Sequence, residues 1–138
     1  MAIKQISVFL ENNAGRLAEV TKVLAQAGIN IRALSIADTS DFGILRLIVN
    51  KCDQALKALG DAGFTTRETE VAAVEIDDTP GSLARVLELL QKKDVNIEYL
   101  YASLEGKSVN AVVVLKLDDH QKAIQIFKEN NIVMIESF

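Results

Sequence analysis

Hydrophobic and polar positions alternate along this chain with two different periods, and the same order of periods occurs twice. Stretches with a period near two, such as IKQISVFL and EVAAVEI, are rich in β-branched residues and predict strands. Two stretches with helical spacing predict helices with one apolar face, formed by Leu17, Val20 and Leu24 and by Leu83, Val86 and Leu90. Each half of the chain therefore has the predicted order β-α-β-β-α-β.

The second half of the chain is a copy of the first. A shift of 66 positions superposes identical residues, and beyond residue 100 the second copy is two residues longer. We place this insertion in the turn-like stretch LEGKS, where extra length costs little. The superposed pairs include Gly15 and Gly81, Leu17 and Leu83, Val20 and Val86, and Asn30 and Asn96. We predict two domains, residues 1–69 and 70–138.

The predicted fold class is α+β, with two ferredoxin-like βαββαβ repeats. Each repeat is expected to form an antiparallel sheet with strand order 4-1-3-2 and both helices on one face. The helices are predicted to end at residues that tolerate the left-handed conformation, namely Gly28, Gly63, Asp94 and Asn131. FTTRE and IVMIESF are predicted as the last strands of the two copies.

Composition and charge exclude several classes of protein. The chain has 138 residues, of which 49% are hydrophobic and 25% charged, which is typical of a globular protein rather than a disordered one. Its net charge of −4 provides no basic field for nucleic acid. Its longest apolar runs are too short to span a bilayer, and its start lacks the features of a signal peptide. We therefore expect a cytoplasmic protein that binds neither nucleic acid nor membrane.

The residues that most often carry catalysis or metals are scarce. Cys52 is the single cysteine, so we expect no disulfide, no cysteine metal cluster and no cofactor. His120 is the single histidine, and we expect it to be exposed near a helix start. Because no base with a tuned environment can be identified, we predict that the protein is not an enzyme.

The sequence of the turn from the first strand into the first helix is more similar between the two copies than the sequences of most strands and helices. It reads NNAGRL in one copy and DTPGSL in the other. Thr79 and Asn13 are suited to cap the helices, and Pro80 suits a first helical position. Two explanations of Gly15 and Gly81 remain open: glycine lets the helix approach a strand, or it keeps backbone N–H groups clear for a carboxylate.

Asn30 and Asn96 each follow their glycine by 15 residues, at the expected start of the second strand. Asparagine is disfavoured within strands, so a specific role is expected. The side chain either ends the turn by bonding nearby backbone or contacts the carboxylate or amine of a ligand.

The pattern D-x-P-G-x-L, followed by an apolar helix and x-N-I, resembles the ACT domain, a regulatory module of amino-acid biosynthetic enzymes. The resemblance covers both halves and is stronger in the second, since Ala14 stands where the family usually has proline. It implies binding of a free amino acid between the loop of one domain and the second strand of its neighbour. The implied ligand-binding residues are Glu11, Asn12, Ala14, Gly15, Leu17, Asn30, Asp77, Asp78, Pro80, Gly81, Leu83 and Asn96.

In this resemblance, backbone N–H groups beside Gly15 and Gly81 hold the α-carboxylate, and Asn12 or Asp78 lies near the ammonium group. ACT domains typically pair edge to edge, which leads us to expect a homodimer. Because no output domain is visible in the sequence, a sensor of this kind is expected to regulate a metabolic enzyme or a transporter in trans.

Pairing of the two repeats within one chain meets a difficulty of length. Side by side through their second strands, the fourth strand of copy one and the first strand of copy two would lie roughly 29 Å apart. The link ETEV spans only about 14 Å. Either the second strands meet between two chains, or the fourth strands are exchanged and FTTRE forms a hairpin with VAAVEI.

Other functions of the same fold lack their signatures. The central strands do not carry the aromatic and basic residues of an RNA-binding module, and both loops lack the cysteines of a metallochaperone. An arginine-dependent phosphatase is conceivable only through Arg16, because Ser82 takes that position in copy two. The main alternative is a non-catalytic interaction scaffold whose ligand site has decayed.

Overall fold

The computed structural model describes residues 2–38, 41–103 and 110–138. The stretch LEGKS, where the insertion is predicted, lies outside the described residues. The described residues group into two compact units. The first unit contains residues 4–69 and Phe138, and the second contains residues 2–3 and 70–137.

The elements of the first repeat follow the predicted order. They are β1 (Ile3–Glu11), α1 (Arg16–Gln26), β2 (Ile31–Asp38), β3 (Phe42–Val49), α2 (Cys52–Asp61) and the first part of β4 (Thr65–Asp77). Strand β3 pairs antiparallel with β1 on one side and with β2 on the other, with Val8 opposite Leu45 and Leu34 opposite Leu47. Strands β1 and β4 are also neighbours, so this sheet has the predicted order 4-1-3-2.

The second repeat continues from β4 and follows the same order. Its further elements are α3 (Ser82–Lys92), β5 (Ile97–Ala102), β6 (Asn110–Leu117), α4 (His120–Glu129) and the short β7 (Val133–Met134). Strand β4 pairs antiparallel with β6 and β7, and β6 pairs with β5. The predicted α+β class with two ferredoxin-like repeats is confirmed.

One long strand replaces two of the predicted strands. FTTRE and EVAAVEI are parts of the single strand β4, which spans 13 residues. The exchange hairpin between FTTRE and VAAVEI is therefore wrong. The physical reason is visible in the sequence TTRETEV, which contains no glycine, proline, asparagine or aspartate to turn the chain.

Each unit has its own hydrophobic core between the sheet and its two helices. In the first unit, alternate residues of β1 and β3 pack against the apolar stripes of α1 and α2. In the second unit, Phe127 of α4 is fully buried among residues of α3, β4 and β6. The helices of each unit therefore cover one face of its sheet, as the sequence predicts.

The predicted helix ends are confirmed. Gly28 and Gly63 have φ angles of 71° and 87°, and the non-glycine residues Asp94 and Asn131 have φ angles of 58° and 56°. All four residues are left-handed, and the following residue bonds back to a carbonyl of the last helical turn, as Ile29 does to Leu24 at 2.9 Å.

Candidate functional site

The loops NNAGRL and DTPGSL of the two repeats have the same turn geometry. Gly81 has φ 90° and ψ −10°, and Gly15 has φ 89° and ψ −13°. The N–H of Ser82 donates to the carbonyl of Thr79 at 3.3 Å, and the N–H of Arg16 donates to that of Asn13 at 3.3 Å. These angles are those of the third residue in a type II turn, which requires glycine, and Pro80 occupies the second position, which favours proline.

This geometry corrects the predicted caps. The helices begin at Arg16 and Ser82. The capping positions before them hold Gly15 and Gly81, which have no side chain with which to form a capping hydrogen bond. Pro80 therefore lies in the turn, not in the helix. The Thr79 hydroxyl bonds that of Ser82 at 2.7 Å, and the Asn13 amide donates to Glu11 at 3.1 Å, so neither predicted cap is formed.

The structure also decides why glycine is needed. A Cβ atom built at Gly15 or Gly81 would meet no atom within 4 Å, so close approach to a strand is not the reason. The reason is the positive φ angle, which strains an L residue. The open space beside both glycines leaves the backbone of each helix start accessible.

Two alanine substitutions should separate these effects. We expect Gly81→Ala to lower the free energy of unfolding by about 1–2 kcal/mol, because alanine is strained at this φ angle. Gly60 is the matched control: it lies inside α2 without a positive φ angle, and an added Cβ meets nothing within 4 Å. Gly60→Ala should raise the free energy of unfolding by about 0.5–1 kcal/mol. Urea denaturation measures both, and a stabilised Gly81→Ala variant would contradict the turn assignment.

A cavity of about 440 Å³ opens beside the loop of the second repeat. It is bounded by the end of β4, the first turn of α3 and the start of β7, and its size is that of a small-molecule site. The residues that line it are Glu75, Ile76, Asp77, Pro80, Gly81, Ser82, Arg85, Val86, Asn131, Ile132 and Val133.

Charges of both signs meet at this cavity. Arg85 contributes a guanidinium that forms no ion pair in the part of the chain that the structure describes. Asp77 contributes a carboxylate, whereas the Glu75 carboxylate accepts from the Asn110 amide at 3.0 Å on the sheet face that does not carry the helices. Val86 and Ile132 add apolar surface. This arrangement is complementary to a zwitterion with an uncharged side chain.

The structure brings only some of the predicted residues of the second repeat to the cavity. Asp77, Pro80 and Gly81 line it, whereas Asp78 is exposed outside the lining and Leu83 packs on the second core. Sequence analysis missed Arg85. A signal was available, because Arg85 follows Gly81 by four residues and so lies one turn along on the same side of the helix.

A second, smaller cavity of about 160 Å³ adjoins the loop of the first repeat. It lies towards β2 rather than towards β4, since Ile36 and Gly43 are part of its wall. Of the predicted residues, Glu11, Asn12 and Leu17 line it, whereas Ala14 and Gly15 are exposed outside its lining.

Arg16 of the first repeat is held by two neighbours. Its guanidinium carbon lies 4.8 Å from the centroid of the Phe64 ring, and its Nη1 donates to Glu19 at 2.7 Å. Sequence analysis had left Arg16 as the residue through which an arginine-dependent phosphatase was conceivable. In the structure, the side chain is engaged within its own repeat.

Asn30 and Asn96 lie at the opposite end of the sheet from their own loops. In the first repeat, β1 and β2 both run antiparallel to β3; Glu11 lies opposite Phe42, whereas Ile31 lies opposite Val49. Seven residues of strand correspond to about 23 Å. A repeat therefore does not bring its asparagine to its own loop.

The backbone of each asparagine is fixed by a residue that sequence analysis missed. The N–H of Asn30 donates to the side chain of Asn50 at 3.0 Å, and the N–H of Asn96 donates to that of Asp118 at 2.9 Å. Asn50 and Asp118 return bonds to the carbonyls of Asn30 and Asn96 at 3.2 and 3.1 Å. The exposed side chains of Asn30 and Asn96 are not used in this link.

Cys52 lies in a small polar cluster of the first unit. Its sulfur and the carboxylates of Asp53 and Glu68 all lie within 4.8 Å of one another. The ammonium group of Lys4 is 3.8 Å from Asp53 and 3.4 Å from Glu68, so a cation of the chain already balances both carboxylates. Burial, followed by the charge of Glu68, raises the pKa of the Cys52 thiol. The cluster is therefore an ion-paired group of polar side chains beside the Cys52 thiol.

His120 begins α4, as predicted, but it is only partly exposed, so the prediction of an exposed side chain is wrong. Its Nδ1 atom is buried and has no hydrogen-bond partner among the described residues. Burial lowers the pKa of His120 below its ordinary value of 6.5, and the charge of Glu70 partly opposes this.

The lowered pKa makes stability depend on pH. The unfolded chain binds a proton at His120 more readily than the folded chain. The stability that comes from a neutral His120 is therefore fully present above pH 6.5 and is lost as the pH falls below that value. We expect His120→Gln to flatten the fall in the free energy of unfolding between about pH 6.5 and 5. Urea denaturation across this range provides the measurement, and an unchanged slope would contradict it.

None of the helices within residues 2–38, 41–103 and 110–138 has the length and apolar character of a membrane span.

The sequence profile described as "ACT domain pair" matches residues 1–137. Among solved structures, protein BT0572 from Bacteroides thetaiotaomicron is 44% identical, with a TM-score of 0.92; the match covers 98% of this chain and 92% of that one. A comparison with curated proteins finds no significant match.

Two further structures have a similar fold at lower identity. They are the regulatory subunits of aspartate kinase from Thermus thermophilus, in a ligand-free form, and from Thermus flavus. They are 19% and 20% identical to this chain, with TM-scores of 0.67 and 0.63. Both matches cover 91% of this chain, and they cover 91% and 90% of the respective subunits.

Proposed function

Because the chain belongs to the ACT domain pair family, we propose that it is a regulatory protein that binds a free amino acid. The observation that carries the proposal is the cavity of about 440 Å³ beside the Thr79–Ser82 turn, which Arg85 and Asp77 both line. Arg85 and the backbone N–H groups of the α3 start receive the α-carboxylate, and the Asp77 carboxylate receives the ammonium group.

The site residues that the resemblance implies in the second loop remain part of this proposal: Gly81 and its neighbours belong to the ligand-binding turn. Gly15 and its neighbours form the equivalent turn of the first repeat. Asn30 and Asn96 contribute only where a second strand from another repeat faces the loop, because each lies about 23 Å from its own loop. Binding at a seam of that kind uses the side chains that the links to Asn50 and Asp118 leave exposed.

A thermal-shift screen of the protein against the twenty amino acids at millimolar concentration tests the proposal. A ligand that binds the folded chain raises its melting temperature according to its concentration and affinity. We expect a selective rise that Gly81→Val removes. The absence of a rise with every amino acid would contradict amino-acid binding.

We propose that regulation acts in trans on a metabolic enzyme or a transporter. Two proteins of the same fold are named as regulatory subunits of aspartate kinase, so enzymes of amino-acid biosynthesis are the first partners to test. Regulation requires that the bound amino acid changes the affinity of this protein for its partner. Because coupling between two sites is reciprocal, the partner then changes the affinity for the amino acid by the same factor. Equal partner activity with and without this protein, at saturating amino acid, would argue against regulation.

We also propose a homodimer joined through second strands. Ile36 of β2 is 51% exposed and Leu17 of α1 is 40% exposed, and both border the small cavity of the first repeat. This apolar edge is suited to cover by a second copy. We expect Ile36→Lys to raise the dimer dissociation constant at least about tenfold, by burying an unpaired charge.

Sedimentation of the purified protein over a concentration series measures this dissociation. Val133→Lys is the matched control, because Val133 is 55% exposed but lies on β7 of the second repeat, which pairs with β4 and not with β2. A chain that is monomeric at every concentration, or an equal effect of both variants, would contradict a dimer through β2.

The interaction scaffold remains a second candidate, and one observation favours it. Phe9 and Phe42 are 42% and 62% exposed and lie on the face of the first sheet that does not carry the helices. In the second repeat, the equivalent positions hold the hydrogen-bonded pair Glu75 and Asn110. The thermal-shift screen separates the candidates, because a scaffold with a decayed site is not stabilised by any amino acid.

A further inference from the structure

The two repeats differ at the positions that bound the large cavity. The same shift that superposes the glycines places Ser82 on Arg16 and Arg85 on Glu19. With the insertion of two residues, Ile132 falls on Phe64. Two cavity-lining residues of the second repeat therefore correspond to larger residues in the first.

In the first repeat, these larger residues are in direct contact. The Arg16 guanidinium carbon lies over the Phe64 ring, 4.8 Å from its centroid, and the Arg16 Nη1 atom donates to Glu19 at 2.7 Å. Phe64 is 7% exposed, and the Nε atom of Arg16 is buried. A positive charge and an aromatic ring thus occupy the space between the helix start and the beginning of the last strand.

In the second repeat, the same space is open. Serine and isoleucine replace arginine and phenylalanine, and the cavity of about 440 Å³ lies between them. The positive charge of the second repeat is instead that of Arg85, which forms no ion pair among the described residues. Arg85 therefore has no internal carboxylate of the kind that Glu19 provides for Arg16.

We propose that the two repeats are functionally unequal: the cavity of the second repeat is the amino-acid site, and the first repeat is closed at the equivalent place by Arg16 and Phe64. This inference rests on the proposed function. It adds the stoichiometry, one amino acid per chain, and the class of ligand. The cavity combines Arg85 with the carboxylate of Asp77 and the apolar residues Ile76, Val86 and Ile132, so it selects a zwitterion with an uncharged, largely apolar side chain.

Exchange of the closing residues between the repeats tests the inference. The probe is the amino acid with the largest thermal shift, titrated by calorimetry into the parent protein and into two double variants. We expect one equivalent per chain in the parent and a loss of affinity of at least about 100-fold in Ser82→Arg/Ile132→Phe. Arg16→Ser/Phe64→Ile is the matched control, and its original site should keep its affinity within about threefold.

Folding is checked by the melting temperature of each variant without ligand. If Ser82→Arg/Ile132→Phe does not fold, Ser82→Arg alone carries the test, since Ser82 lies at the partly exposed start of α3. Two equal equivalents per chain, or loss of binding only in Arg16→Ser/Phe64→Ile, would overturn the inequality of the repeats while leaving amino-acid binding intact. The absence of binding by any amino acid would overturn both proposals.

Discussion

Replacement of Phe127 by alanine is expected to lower the free energy of unfolding by about 3–5 kcal/mol, the largest effect on stability that we predict. Phe127 is fully buried in the second core and packs among residues of α3, β4 and β6. Alanine removes most of this apolar surface and leaves a cavity that the surrounding helices and sheet fill only in part. Urea denaturation of the purified variant measures the change.

Lys122→Ala is the matched control for Phe127→Ala, because Lys122 is exposed on the same helix. It should change the free energy of unfolding by less than about 0.5 kcal/mol. A loss below about 1 kcal/mol in Phe127→Ala would show that this side chain does not anchor α4 to the sheet.

Replacement of Arg85 by glutamine is expected to weaken amino-acid binding by about 10- to 100-fold. A hydrogen bond between charged groups contributes about 1.5–3 kcal/mol, and glutamine keeps the length but loses the charge. The same change should have little effect on folding, because Arg85 is exposed and forms no ion pair among the described residues.

Arg67→Gln removes an equal charge from an exposed position of β4 that does not line the cavity. Its affinity should match that of the parent protein, as measured by calorimetry. Equal losses in both variants would indicate a general effect of net charge and would contradict a specific contact of Arg85 with the ligand.

The order of elements could be predicted because the same pattern of apolar and polar residues occurs twice in the sequence. Each copy supports the interpretation of the other, and the helix ends were found because glycine, asparagine and aspartate are the residues that accept a left-handed conformation. The continuity of β4 was missed, although TTRETEV contains no turn residue. The expectation of two separate strands came from dividing the chain at the repeat boundary.

The loop was located correctly, but its conformation was not. Proline followed by glycine fits a type II turn as well as a helix start, and only the φ angle of 90° at Gly81 decides between them. The position of Asn30 relative to its loop could have been deduced from the direction of β2, since the parallel course of β1 and β2 places their starts together.

The large cavity could not be predicted from the sequence. It depends on residues that are about 50 positions apart, such as Ser82 and Ile132, and on how much space their side chains leave between a helix start and a strand. The repeat provided an indirect signal, because the pair Arg16 and Phe64 is larger than the pair Ser82 and Ile132. Side-chain volume at superposed positions can thus indicate which copy of a duplicated domain has room for a ligand.

The most direct test of the central claim is nuclear magnetic resonance of the isotope-labelled protein, titrated with each of the twenty amino acids in turn. We predict that at least one amino acid shifts the backbone signals of Gly81, Ser82 and Ile132 and the side-chain Nε signal of Arg85, whereas the signals of Arg16 and Phe64 change little. Spectra that remain unchanged with every amino acid, or that change chiefly at Arg16 and Phe64, would contradict an amino-acid site in the second repeat.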